Sequence, residues 1–344
     1  MTRRSVQIFL VLMTLAASTQ AVNYTNEVLE IGVGARALGM GGAYVAVADD
    51  STASYWNPAG LTAIKHMEVE LVQQAQESAP LALGTNDVGS QYFIMTGGMT
   101  LPDIGSFGVA VLRFGVSGIE QIPSSSAAQY NCATCAPPAA IGTFGTQDLA
   151  LLLSYARTIV PAVDLGVTAK ILDGGTSGLQ ADPGGDGITG NVSYDYFGLD
   201  LGVMVKFGEL TPYLKGLNLG VNLQDLLNTG VKWTDDSTAE AVDMNAKSGL
   251  AYSLPFDFLR ANHTTMALAL DMDPKYSTLI HYGAEIWYKD TLAFRAGMRQ
   301  FTSGLQSNEV SAGASFRFFI LQVDYSYIDY ELTPIQYMSM LVRW

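Results

Sequence analysis

The sequence predicts an all-β protein: a transmembrane, closed β-barrel of about 14 antiparallel strands, of the outer-membrane kind. Three observations predict this fold. Many runs of about ten residues alternate strictly between apolar and small or polar side chains, as tilted membrane strands do. Charged residues form only 15% of the 344-residue chain, against about 25% in an ordinary soluble domain. No apolar run reaches the roughly 20 residues of a spanning helix, which leaves a closed barrel as the spanning structure.

The first 21 residues have the pattern of a secretory signal peptide. Arg3 and Arg4 come before an apolar run of about a dozen residues, and Thr19-Gln20-Ala21 forms a small-x-small cleavage site. Cleavage there leaves Val22 first, which gives no sign of a lipid anchor. The chain carries a net charge of −14 with few, scattered Lys and Arg residues, so nucleic acid is excluded as a partner.

The alternating runs give fourteen candidate strands. In FGLDLGVMVKF, residues 197–207, one face carries Phe197 and the apolar residues, and the other carries Gly198, Asp200 and Gly202. The candidates lie near residues 66–76, 90–101, 105–116, 147–158, 163–173, 193–207, 217–226, 246–254, 263–273, 279–288, 292–301, 309–318, 320–330 and 335–344. Long connections mostly alternate with tight turns, as in outer-membrane barrels. The short connection at 274–278 leaves the count open by one hairpin.

The chain ends on an alternating strand with an aromatic last residue. In QYMSMLVRW, residues Met338, Met340, Val342 and Trp344 share one face. Outer-membrane assembly machinery recognises final strands of this kind by the terminal aromatic residue. We therefore expect Met340, Val342 and Trp344 to act as an assembly signal, with the barrel-assembly machinery and outer-membrane lipid as partners.

A segment near the N-terminus, GARALGMGGAYVAVADDSTASYWNPAGL, fits no catalytic pattern. Asp49 or Asp50 can N-cap a short helix over residues 51–56, and Pro58 disfavours helical geometry at Asn57 and ends it. The sequence Asn57-Pro58-Ala59-Gly60 suits a type I turn that begins with an Asx residue and ends with Gly60.

The same segment is rich in small residues and has one cation. Gly39, Gly41 and Gly42 would let the backbone pack closely against a barrel wall. Arg36 is expected to pair with an aspartate of the segment or with an acidic side chain in the lumen. These features indicate a compact structural element.

Residues 31–61, IGVGARALGMGGAYVAVADDSTASYWNPAGL, resemble the N-terminal signature of the PorV/PorQ family, which belongs to the FadL-like outer-membrane barrels. The resemblance implies a hatch inside a fourteen-stranded barrel. We therefore expect a signal peptide at 1–21, an N-terminal hatch at 22–64 and a barrel at 65–344. The expected location is the outer membrane of a Gram-negative-type bacterium, with both termini periplasmic and the long loops extracellular.

By this resemblance, the leading expectation is an accessory component of type IX protein secretion, which engages cargo C-terminal domains and a secretion-system barrel. The alternative is a FadL-like transporter of small hydrophobic molecules, which needs an apolar pocket between hatch and wall and an exit in that wall. A lipase-type enzyme is a third possibility. The three histidines, His66, His263 and His281, lie in no nucleophile or metal context, so we expect no enzyme, no cofactor and no metal.

The hairpin AEIWYKDTLAFR predicts a lumenal ion pair. If the turn is Lys289-Asp290-Thr291, then Glu285 lies directly opposite Arg295 on the inner face, and His281 lies opposite Arg299. Such a pair either provides a scaffold for packing the plug or takes part in substrate passage.

Two loop motifs remain. Cys132 and Cys135 lie in NCATCAPP, within a long connection expected outside the cell. In that oxidising compartment a local disulfide is favoured over metal binding by the pair alone. The loop DPGGDG, residues 182–187, lacks the ligand series of a calcium-binding EF-hand, so a solvated loop is expected there.

Overall fold

The structure, a computed structural model, describes residues 29, 31–75, 89–122, 140–179, 191–234, 240–255, 264–274, 279–302, 307–330 and 334–344. Sixteen strands lie in these ranges. They are β1 (Met67–Ala75), β2 (Gly89–Leu101), β3 (Gly105–Gln121), β4 (Gly142–Val160), β5 (Val163–Ser177), β6 (Val192–Lys206), β7 (Leu217–Gln224), β8 (Gly230–Trp233), β9 (Glu240–Ala241), β10 (Asn245–Pro255), β11 (Thr265–Asp273), β12 (Leu279–Tyr288), β13 (Leu292–Phe301), β14 (Glu309–Phe318), β15 (Leu321–Asp329) and β16 (Ile335–Arg343).

Fourteen of these strands form a closed wall. Each wall strand pairs antiparallel with the next in the chain, with β7 pairing to β10 across the connection that holds β8 and β9. The ring closes because β1 pairs with β16. The predicted fourteen-stranded antiparallel barrel is therefore confirmed, and closure leaves no unpaired edge in the wall. The short hairpin of β8 and β9, which extends from β6, was not expected from the sequence.

The pleat of each strand separates lipid-facing from lumenal side chains. On β6, Asp200 faces the lumen and is 2% exposed, whereas Phe197 lies on the opposite face and is 45% exposed on the outer surface. In the C-terminal strand, Met340 and Trp344 are exposed, whereas Leu341 is buried. This pattern matches the period-two prediction, because successive residues of a strand point to opposite faces.

Strands β3 and β4 extend furthest beyond their predicted ends. The alternation predicted strands at 105–116 and 147–158. In the structure β3 continues to Gln121 and β4 already begins at Gly142. The pairing register shifts between Val116 and Ile119, where Gly118 has a φ of 79°. The irregularity breaks the alternation at residue 116, and for this reason the pattern alone ended the strand there.

The helices are short. They are α1 (Ala35–Gly39), α2 (Ala53–Trp56), α3 (Phe207–Leu210) and two 3-10 helices, Pro58–Ala63 and Pro212–Leu214. No helix in the described part of the chain has the length and apolar character needed to cross a bilayer. Helix α2 starts two residues later than the expected 51–56. Thr52 is its N-cap and makes no capping bond, while the Asp50 carboxylate accepts from the Thr52 N–H in the preceding turn (3.1 Å).

The core of the molecule lies inside the barrel. Residues 31–64, called the N-terminal segment below, are nearly all buried, and Val33, Met40, Tyr44 and Leu61 have no more than a trace of exposed surface. They pack against inward-facing side chains of the wall, among them Ile94 of β2 and Leu152 of β4. The lumen is thus filled by this segment, because wall side chains alone cannot fill so wide a barrel.

Candidate functional site

Arg36 is the centre of the polar contacts of the N-terminal segment. It lies on α1 and is buried, with an exposed fraction of 8%. Its Nε and Nη2 donate to the two carboxylate oxygens of Glu285 at 2.9 and 2.8 Å. Its Nη1 donates to Asp50 at 3.2 Å and also to Asp49. Arg36 therefore connects both aspartates of its own segment to the wall, whereas the sequence had offered these partners as alternatives.

The contact with Glu285 continues into the wall as a chain of alternating charges. Glu285 on β12 lies directly opposite Arg295 on β13, and Arg295 Nε donates to it at 2.5 Å. Arg295 also faces Asp324 of β15 at 3.3 Å. Glu285, Arg295 and Asp324 all lie at or below 5% exposure. Because each buried charge has an opposite charge beside it, the desolvation of each is compensated.

The electrostatics of Asp50 follow from this arrangement. Burial by itself would raise the pKa of the Asp50 carboxyl, because a charge is costly away from water. The Arg36 cation and the hydrogen bonds from Thr52 and Tyr44 favour the ionised form more strongly. Together they hold the pKa of Asp50 below its usual value. The carboxylate is therefore charged when the segment is in place.

The Asn57-Pro58 turn fixes the middle of the segment to two elements. The side-chain oxygen of Asn57 accepts from the Ala59 N–H (3.2 Å), and the backbone carbonyl of Asn57 accepts from the Gly60 N–H (2.9 Å). Its Nδ2 donates to the carbonyls of Val45 (2.8 Å) and of Val203 in β6 (3.1 Å). The expected Asx turn is thus extended by a 3-10 helix, and the side chain of Asn57 also joins the turn to the wall.

Glycines allow the backbones to approach closely at this turn. A Cβ on Gly166 of β5 would lie 2.3 Å from the carbonyl carbon of Pro58, and one on Gly60 would lie 2.2 Å from the Ala48 carbonyl oxygen. A side chain at Gly166 would displace the turn from the wall, and one at Gly60 would displace it from Ala48 of the same segment. The sequence indicated the close-packing glycines of the segment but not the matching glycines of the wall strands. In the sequence, those wall glycines could have been found as Gly residues at inward-facing positions of the alternating pattern.

The backbone between α1 and Val45 is held to strands β11, β12 and β14 of the wall. His281 Nδ1 donates to the Gly41 carbonyl (2.7 Å), and the Val45 N–H donates to the Asp271 carboxylate (2.6 Å). Ser311 Oγ donates more weakly to the Gly39 carbonyl (3.3 Å). Gly41 has a φ of 67° and lies so close to β13 that a Cβ would be 2.6 Å from the Met298 nitrogen. The sequence placed His281 opposite Arg299 in the lumenal register but gave no reason to select Asp271 or Ser311.

Two cavities border the N-terminal segment on opposite sides. The loop-side cavity, of about 60 Å³, lies between the segment and strands β11 to β15, and its lining includes Leu38, Trp56, Asp273 and Tyr330. The turn-side cavity, of about 670 Å³, opens near the tight β12–β13 turn and the end of β16. The stretch 41–49 separates them, since Gly41, Gly42 and Val45 border the first cavity and residues 46–49 border the second.

The other residues singled out in the sequence contribute less to this site. Gly42 has a φ of 77° and lies against the His281 ring. His66 is exposed, near the end of β16. Cys132, Cys135, His263 and the 182–187 loop lie outside the described residues. Within the described ranges, no group of three or more His, Cys, Asp or Glu residues could hold a metal ion.

Comparisons by sequence and by structure give different results. No family model matches the chain, and no curated protein matches it. By contrast, many solved structures share its fold. The Ralstonia pickettii toluene transporter TbuX is 11% identical, with a TM-score of 0.57, and the match covers 91% of this chain and 98% of that one.

Two further matches are of the same kind. The CymD monoaromatic hydrocarbon channel is 14% identical with a TM-score of 0.56, over 91% of this chain and 98% of its own. A Pseudomonas aeruginosa FadL homologue is 12% identical with a TM-score of 0.53, over 90% and 98%. The chain has the fold of the FadL-like outer-membrane barrels. These likenesses concern the fold alone, and the closer resemblance to PorV/PorQ stays a prediction from residues 31–61.

Proposed function

We propose that the protein is an outer-membrane channel for small hydrophobic molecules, in which the N-terminal segment acts as a closed hatch. The observation that carries this proposal is the position of residues 41–49 between a loop-side and a turn-side cavity. A molecule passing through the lumen would have to cross this stretch. The transporters whose fold the chain shares are named for toluene and monoaromatic hydrocarbons, which supports the same class of substrate here.

The loop-side cavity has the composition of an entry site but not yet the size. Its lining surface is mainly apolar, with Leu38, Trp56, Leu279, Ile328 and Tyr330 among its residues, and the charged side chains Lys247, Asp273, Arg299 and Glu309 also border it. At about 60 Å³ it is far smaller than the roughly 300–1,000 Å³ of typical ligand pockets. Entry of a monoaromatic molecule therefore requires that the N-terminal segment move away from strands β11 to β15.

We propose the orientation that places the turn-side cavity in the periplasm, with both termini on that side and the long loops outside the cell. It follows the common arrangement of outer-membrane barrels, in which tight turns face the periplasm. In this orientation the loop-side cavity receives molecules from outside, and the turn-side cavity releases them inward.

Uptake of toluene by proteoliposomes tests the channel. Wild-type protein should accelerate toluene entry over that of empty liposomes while leaving sucrose excluded, because the segment fills the polar route through the lumen. A variant whose segment is loosened, Arg36→Ala, should admit both. Toluene entry no faster than in empty liposomes, with folded protein present, would contradict the channel.

A role in type IX secretion is the second candidate, and the resemblance of residues 31–61 to the PorV/PorQ signature favours it. In that role the protein would engage cargo C-terminal domains and a secretion-system barrel through its rim. Purification of the intact protein from outer membranes, with identification of its companions, separates the two candidates. Recovery of a secretion barrel together with cargo domains would favour the second candidate over the channel.

A further inference from the structure

The turn-side cavity contains an arginine without an acidic partner. Arg317, near the end of β14, lines the cavity and forms no ion pair with any described residue. Its Nε and Nη2 both donate to the amide oxygen of Gln322, at 3.0 and 2.8 Å. Its guanidinium lies 4.2 Å from the centre of the Trp287 ring. Stacking on the ring and the bond to Gln322 hold the guanidinium in one orientation beside the cavity.

A second arginine converges on the same oxygen. Arg343 of β16 donates to the Gln322 oxygen at 3.1 Å and pairs with Glu68 at 2.6 Å. Two guanidinium groups are thus brought together at one neutral acceptor, and the one carboxylate in an ion pair with either of them is Glu68, on Arg343. Like charges held this close repel each other, and an added anion would relieve the repulsion. Paired guanidiniums are also suited to bind the two oxygens of a carboxylate.

The acids that face this site already have partners or lie apart from it. Asp49 borders the same cavity and pairs with Arg36. Asp290, on the turn between β12 and β13, also borders the cavity and has interactions of its own. The charge of Arg317 is therefore compensated only at a distance, where water in the cavity screens the interaction.

The rest of the cavity is apolar along one side. Next to Trp287 around the barrel, Ala267 of β11 lines the wall, and Ala46 to Ala48 of the N-terminal segment line the inner side. The volume of about 670 Å³ lies within the range of small-molecule pockets. Its place inside the barrel, below the segment, excludes a folded protein as the ligand.

We propose that the turn-side cavity binds a small aromatic carboxylate, with its carboxylate on Arg317 and Arg343 and its ring against Ala267 and the N-terminal segment. This site goes beyond the proposed channel, because passage of a neutral hydrocarbon requires no anion site. The ligand would reach it from the turn side without movement of the segment.

Isothermal titration of the full-length protein in detergent tests the site with three probes. Benzoate should bind saturably. Benzyl alcohol, which has the ring but no charge, and inorganic phosphate, which has the charge but no ring, should each bind at least about tenfold more weakly. Absence of benzoate binding, or equal binding of either other probe, would overturn the proposal.

Variants locate the binding. Arg317→Gln should weaken benzoate binding by about tenfold or more, and Arg317→Lys should retain part of it, because lysine keeps the charge without the fork. Arg113→Gln is the matched control: Arg113 is exposed on β3, and its guanidinium likewise bonds to a glutamine, Gln147 (3.1 Å). Unchanged affinity in folded Arg317→Gln would refute the assignment.

A measurement on the wild-type protein covers the case in which the variants do not fold. Phenylglyoxal modifies accessible arginines, and mass spectrometry of the digest reports the extent at each one. Benzoate should protect Arg317 from modification and leave Arg113 unprotected, whereas equal modification of Arg317 with and without benzoate would refute the site. Neither experiment depends on transport, so failure of the site and failure of the channel are distinguishable.

Discussion

The contact of Arg36 with Glu285 should control whether the N-terminal segment stays in the barrel. Arg36→Ala removes two hydrogen bonds to Glu285, at 2.9 and 2.8 Å, and the contacts with Asp49 and Asp50. All the direct ion pairing between segment and wall in the described residues passes through this one side chain. Its removal therefore acts on the docking of the segment and leaves the pairing of the wall strands intact.

The magnitude follows from what remains after the change. Removing one partner of a buried ion pair typically costs about 3–5 kcal/mol. Glu285 would keep Arg295 at 2.5 Å, and Asp50 would keep Tyr44 at 2.5 Å, so the lower end applies. A loss of about 3 kcal/mol corresponds to roughly a hundredfold higher ratio of open to closed segment.

Planar-bilayer recordings measure this ratio. Wild-type protein should conduct little, and Arg36→Ala should conduct in larger or noisier steps at equal folded yield. Arg113→Ala, which removes an exposed arginine from the outer face of β3, is the control and should behave as wild type. If Arg36→Ala conducts as little as wild type, Arg36 does not hold the N-terminal segment in place. A large steady wild-type conductance would refute the proposal that the segment closes the barrel.

Three further outcomes are expected. Charge reversal of Glu285 or Arg295 alone should lower the temperature of heat modification on SDS gels. The double reversal should recover only part of the loss, because Arg36 would then face a cation at position 285. We expect a coupling of about 2 kcal/mol between the two positions. Additive effects of the two single reversals would contradict the contact between Glu285 and Arg295. Asn57→Ala with Pro58→Ala should raise conductance by freeing the turn, whereas lost folded yield without conductance would indicate a role in assembly only. Acidification should loosen the segment, because the folded-state pKa of Asp50 is lowered by Arg36 against the effect of burial. That stabilisation is present above the unfolded pKa and is lost as the pH falls through the folded one; conductance independent of acid pH would exclude this effect.

The wall of the barrel was predictable from the sequence because its determinants are local. Strand faces follow from a period of two, and a tight turn at Lys289-Asp290-Thr291 fixes the register of its hairpin, so Glu285 could be placed opposite Arg295. The sequence did not show the burial of that pair. Both side chains are covered by the N-terminal segment, so we expect a stronger coupling than for an ion pair in a hydrated lumen.

The site itself depends on contacts that no local pattern encodes. Arg36 and Glu285 are 249 positions apart, and Val45 and Asp271 are 226 apart. An inward carboxylate or glycine on a strand is visible in the sequence, but which part of the segment lies against it depends on how the segment folds within the closed barrel. Sequence alone therefore predicted a plug-like segment and a closed wall of about fourteen strands. Only the tertiary structure decided which wall residues hold the segment, and where it leaves cavities, because those contacts form only once the ring has closed around it.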